Sequence, residues 1–147
     1  MTTGLDVFDT TVQKSNRWLL ELMSELDTQD KHYAYLALRA TLHALRDRLT
    51  VEEASQLSAQ LPMLIRGLYY DAYDPSGKPL RERHKEDFLR RIDDAFYRSD
   101  PGVNSEEIAQ AVFRLLSRRI SEGEIEDVRM MMPKEIRDLW PEPSRTG

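Results

Sequence analysis

The 147-residue sequence predicts an all-α fold: an orthogonal bundle of about eight helices, arranged as two equivalent four-helix halves around one core. Three observations predict it. Apolar residues recur at steps of three and four along most of the chain, and no useful stretch alternates with the period of a strand. Helix-start signals punctuate these runs. The segment Ala40–Tyr69 also returns without a gap 71 residues later, as Ala111–Trp140. Eight of the thirty pairs are identical: Ala40/Ala111, Leu45/Leu116, Arg48/Arg119, Glu53/Glu124, Pro62/Pro133, Ile65/Ile136, Arg66/Arg137 and Leu68/Leu139. Unrelated sequences share roughly two, given ordinary residue frequencies. The repeats are expected at 8–72 and 81–141, with a linker at 73–80, inside one domain spanning 1–147.

Taken in order, residues 1–7 are expected to be a lead, with Asp9 capping helix one. Phe8, Val12, Ser15, Leu19, Leu22 and Leu26 form its apolar face, with Trp18 and Met23 alongside. Asp30 caps helix two, which carries Tyr35, Leu38, Leu42, Leu45 and Leu49. Its alanines at 34, 37, 40 and 44 leave room for a close neighbour. Thr50-x-x-Glu53 and Ser121-x-x-Glu124 read as capping boxes, in which the hydroxyl takes the N3 amide and the carboxylate reaches back to the N-cap amide. Leu49 with Ala54, and Ile120 with Ile125, stand at the staple positions beside them. Helix three is expected over about 51–60. Helix four starts near Pro62 and ends around Asp71, because proline suits a first helical position. Asp74-Pro75-Ser76-Gly77 is a turn. Helix five is expected over 81–98, where Phe88, Leu89, Ile92 and Phe96 match Trp18, Leu19, Leu22 and Leu26 at an offset of 70. Asn104-x-x-Glu107 starts helix six, and helices seven and eight are expected to mirror three and four. Pro141 and Pro143 end the pattern before a loose tail.

Composition narrows the function. The net charge of −5 argues against a general nucleic-acid binder, which carries a basic field. With no cysteine there is no thiol nucleophile, disulfide or Cys-ligated zinc. No apolar run approaches the ~18 residues of a membrane span. MTTGLDVFDTT lacks the basic and apolar regions of a secretory leader, so no signal peptide is expected.

The stretch LHALRDRLTVEEASQLSAQLPMLIRGLYYDAYDPSGKP, with SEGEIEDVRMMMPKEIRDLWP later, resembles the bacterial family catalogued as domain of unknown function 2267. The resemblance runs from about Phe8 to Pro141. Its most specific part is AQLP-x-x-x-RG-x-YY, residues 59–70. It implies an all-helical bacterial cytoplasmic protein and carries over no catalytic residues.

The residues themselves offer little chemistry. His32 and His43 are three turns apart on one helix, roughly 16 Å, and cannot share an ion. His84 sits among cations. No Glu-x-x-His pair recurs, so no di-iron site is expected. The phosphate-binding and serine-nucleophile motifs are absent. The expectation is therefore no metal, no cofactor and no enzyme. The run from Lys78 to Arg91 has six cations against three acids, which usually means a solvated helix face. A helix-turn-helix would place VEEASQLSAQ or EGEIEDVRMM against phosphates, and both are acidic. The repeated Arg48/Arg119 and Arg66/Arg137 read as intramolecular partners for acids or for carbonyls at helix C-termini.

Helix four differs most between the copies. Met63, Leu64 and Gly67 become Lys134, Glu135 and Asp138, and Tyr70 becomes Pro141. An almost wholly apolar helix predicts burial on more than one side, with the second half packed over it and Gly67 allowing close approach. Otherwise Met63, Leu64, Tyr69, Tyr70 and Tyr73 form an exposed patch for an unknown protein partner or a homodimer. The functional reading is a non-enzymatic interaction or adaptor module using this region. The alternative is a small-ligand binder with a cleft between the halves, rimmed by Arg66, Tyr69, Tyr73 and Arg137.

Overall fold

Among the described residues eight helices follow one another: α1 (Asp6–Leu26), α2 (Lys31–Arg46), α3 (Val51–Ser58), α4 (Met63–Tyr70), α5 (Lys85–Phe96), α6 (Ser105–Arg119), α7 (Glu122–Met130) and α8 (Lys134–Arg137). The computed structural model describes residues 2–142, so the tail from Pro143 lies outside the described residues. Among the described residues there is no strand.

Four helices start where a side chain can take an orphan amide. Asp30 accepts from His32 N at 3.0 Å and Tyr33 N at 3.2 Å. Thr50 accepts from Glu53 N at 3.1 Å, Asn104 from Glu107 N at 3.2 Å and Ser121 from Glu124 N at 3.3 Å. The capping boxes are only half formed, however. The Ser121 amide donates to Gln60 Oε1 at 2.8 Å, and Glu53 and Glu124 turn inward instead of reaching back.

Three boundaries differ from expectation. Helix α1 begins at Asp6, not after Asp9, because Asp6 and Asp9 in the first turn suit the positive end of the helix dipole. Asp9 there accepts from Thr3 N at 2.6 Å. Helix α5 begins only at Lys85, since Leu80 N is held by Asp47 O at 2.8 Å and Glu82 is held by Arg48 and Arg91. Its first amide, Lys85 N, donates to Glu135 of α8 at 2.7 Å. Helix α8 keeps only four residues, against eight in α4. Trp140 stacks on Phe113 with centroids 4.0 Å apart, and Pro141 disfavours helical backbone in the residue before it.

The core is centred on α2 and α6. Helix α2 touches α1, α4, α5 and α6, while α6 touches α1, α2, α5 and α7. Ala34, Ala37, Ala40 and Ala44 are buried, which lets these neighbours come close. Trp18, Leu22, Phe88, Ile92 and Phe96 fill the layer from α1 and α5. Contacts run across the chain's two halves: α1 on α6, α5 on α2 and α3 on α7. Ion pairs follow the same paths. Glu25 accepts from Arg114 at 2.7 Å and from Arg118, Glu21 accepts from Arg119, and the buried Arg48 donates to Glu82 at 2.9 Å. The bond from Arg114 holds the Glu25 carboxyl below the usual carboxylate range.

Candidate functional site

Helix α4 is held at both ends by the rest of the chain. Pro62 supplies no side-chain cap, and the Leu64 amide donates to Thr11 Oγ1 of α1 at 2.9 Å. At the other end α2 reaches over. Arg46, though buried, donates to the carbonyl of Tyr69 and, at 2.7 Å, to that of Asp71. His43 Nε2 lies 2.8 Å from the Leu68 carbonyl. A carbonyl only accepts, so His43 carries its proton on Nε2. Burial lowers the tendency of this ring to take a second proton.

Two residues one turn apart, Ile65 and Tyr69, face inward and are buried. The Tyr69 hydroxyl donates to the Ala54 carbonyl at 2.9 Å, and burial pushes its pKa up. Tyr70 and Tyr73 extend an aromatic row from Tyr69, with successive centroids 5.0 and 5.7 Å apart, and the Arg46 guanidinium sits over Tyr73. Both rings are half-buried.

The opposite face of α4 is open. Met63 is 54% exposed and Leu64 is 56% exposed, and a Cβ on Gly67 would meet nothing within 4 Å. This corrects the expectation that the second half covers helix four through Gly67. Helix α4 packs on α1 and α2 and reaches α3 through Arg66 and Tyr69, and none of these covers Met63 or Leu64. The apolar face of α1 also runs off its cover, on the stretch whose Thr11 meets Leu64 of α4. Ser15 and Leu22 are buried, whereas one and two turns earlier Val12 is 46% and Phe8 is 50% exposed. Between α1, α2 and α4 lies a groove of about 380 Å³, with Ser15, Leu19, Leu38, Leu64, Gly67 and Leu68 in its wall. The Arg39–Asp71 ion pair, at 3.1 Å, closes one end. The face offers apolar contact area and a shallow recess.

The residues named for a cleft do not meet. Arg66 donates to the carbonyls of Ser58 at 2.8 Å and Leu61 at 3.0 Å, which ties it to the C-terminal end of α3. Arg137 lines a small hollow with Glu126, Arg129 and Lys134. Tyr69 is fully buried, and Tyr73 is folded under Arg46. A larger groove of about 620 Å³ between α6 and α7 contains Arg114 and Arg118, both already bound to Glu25.

Sequence reasoning missed two features. One is the exposure of Phe8 and Val12, whose spacing looks the same whether or not a neighbour covers them. The other is the meeting of Glu53, Glu124 and Asp127, whose carboxylate oxygens lie within 4.8 Å of one another. The matched positions of Glu53 and Glu124 in the repeat were the available signal. His84, Glu86 and Glu135 also converge within that distance, but all three are exposed and Glu135 already holds Lys85 N.

The class defined by this structure is an all-α bundle with an uncovered apolar face on α1 and α4. Residues 15–139 match the family model described as "Uncharacterized conserved protein (DUF2267)", and the chain belongs to that family. A search of curated proteins finds no match. No helix among the described residues is long and apolar enough to cross a membrane.

Proposed function

We propose that this protein is a non-enzymatic interaction module whose α1–α4 face pairs with the same face of a second copy. One observation carries the reading: at matched positions the chain places Met63, Leu64 and Gly67 in α4 but Lys134, Glu135 and Asp138 in and after α8. Where α8 meets water it is charged, so the apolar choice in α4 points to a covered surface. The face is suited to itself. Exposed Phe8, Val12, Met63 and Leu64 supply knobs on α1 and α4, the groove at Gly67 supplies a recess, and the Arg39–Asp71 pair at its end supplies both signs. A two-fold pairing requires such self-complementarity. Less supports a cleft between the halves, since Arg66 and Tyr69 have partners inside the chain.

The expected association is weak. Covering a half-exposed apolar side chain gives about 1 kcal/mol, so eight of them across a two-fold give on the order of 8 kcal/mol before the entropy of association is subtracted. Light scattering over a concentration series should therefore show the molar mass rising from 17.2 kDa towards twice that value. Met63→Glu and Leu64→Glu should hold it at the lower mass with unchanged helical content, because both residues are exposed and neither supports the core. A wild-type mass that stays at the monomer value into the millimolar range would reject self-pairing.

A further inference from the structure

The junction of α3 and α7 contains two acids that the ion pairs leave out. Glu53 and Glu124, each in the first turn of its helix, are 4% and 8% exposed. No donor reaches Glu53 Oε1 or Glu124 Oε2. Two carboxylates buried this close cannot both stay ionised, since desolvation and mutual repulsion oppose the second charge. The surrounding elements supply no cation to relieve them. From α4 the Tyr69 hydroxyl is committed to Ala54, and Arg66 is bound to carbonyls at the far end of α3. From α7 the third group is Asp127, another acid. The cations of α6, Arg114 and Arg118, line the groove on the side of α7 that bears Glu122 and Glu126, and they hold Glu25. Arg129 pairs with Glu126.

We propose that Glu53 and Glu124 share one proton, and that this proton is a latch holding α3 against α7 that releases as the pH rises. An O–H donated by one carboxyl to the other turns a repulsion into a short, charge-assisted hydrogen bond. The contacts beside it are modest. They are neutral: Gln60 Nε2 donates to Ser121 Oγ at 3.0 Å, Gln60 Oε1 accepts from Ser121 N at 2.8 Å, and Thr50 Oγ1 lies 3.9 Å from Met131 Sδ. Among the described residues the latch is therefore the one charge-assisted link at this junction. Burial, and then the neighbouring Glu53, push the Glu124 carboxyl up to about 7. A carboxyl that holds its proton more tightly in the folded chain adds stability that is complete below the unfolded value of 4.5. That stability is lost as the pH rises through about 7.

Carbon-13 NMR of the glutamate carboxyls in the wild-type chain reads this proton without any substitution. One step near pH 7 is expected, and Glu53→Gln and Glu124→Gln should each remove it. The melting temperature of the wild type should fall relative to Glu124→Gln between about pH 5 and pH 7.5 and then level off. Amides of α3 and α7, corrected for intrinsic exchange, should open faster at pH 8 than at pH 6. Glutamates that all titrate in the ordinary range, or melting profiles that run parallel, would overturn the latch. So would stabilisation by calcium or manganese at pH 8 that disappears in Glu124→Gln, which would assign the pair to a divalent cation.

Discussion

Arg46 lies in the last turn of α2, and its guanidinium closes the end of a different helix by donating to the carbonyls of Tyr69 and Asp71. Its aliphatic stem is buried with it, and Tyr73 covers the charged plane. Nothing local to Arg46 announces this role, because a basic residue near a helix C-terminus is ordinarily read as serving its own dipole. Replacement by leucine keeps the bulk and leaves two carbonyls without a donor. Hydrogen bonds from charged donors are worth about 1.5–3 kcal/mol each, so Arg46→Leu should cost about 3 kcal/mol. Urea unfolding with an unchanged m-value is the measurement, and a loss below about 1 kcal/mol would mean that water takes over both carbonyls. His43, beside Arg46, bonds the Leu68 carbonyl, so the last turn of α4 is finished largely by α2.

Helix starts at Asp30, Thr50, Asn104 and Ser121 were legible because a cap is a local event, decided within four residues. The start of α5 was not, since Leu80 is held by Asp47 and Glu82 by Arg48 and by Arg91 further along α5, contacts that lie outside a four-residue window. Helix α8 looked like a second α4 in sequence, yet Trp140 leaves the helix for Phe113 and shortens it. The candidate face shows the same divide. Periodicity identifies which side of α1 and α4 is apolar, but only packing decides how much of that side the chain covers for itself. Gly67 separates the two effects at the level of the element. It lies inside α4, its Cβ direction is empty, and alanine there should stabilise the fold by about 0.5–1 kcal/mol. If the groove takes a second copy, the same methyl should weaken association, so Gly67→Ala is expected to raise the melting temperature while lowering the dimer fraction in light scattering. A rise in both would detach Gly67 from the interface.

In the whole molecule the N-terminal and C-terminal helices share one core. Helix α1 packs on α2 and α6, and α5 packs on the same two helices, so the Trp18 and Phe88 layers are each closed by elements distant in sequence as well as by near ones. Residues 81–142 alone would leave the side of α5 and α6 that meets α1 and α2 open to water. Circular dichroism of that fragment should show little cooperative melting, and a sharp transition would mean that the half is an independent unit. The same interleaving has a consequence in time. Glu25 and its partner Arg114 are 89 positions apart. Ribosomes add about 5–20 residues per second, so α1 waits on the order of 4–18 s after its own synthesis before α6 exists to receive it. During that interval the nascent α1 has α2 and α4 beside it, but the side that α6 covers stays open, which makes the unfinished chain, more than the finished one, a client for a holding chaperone.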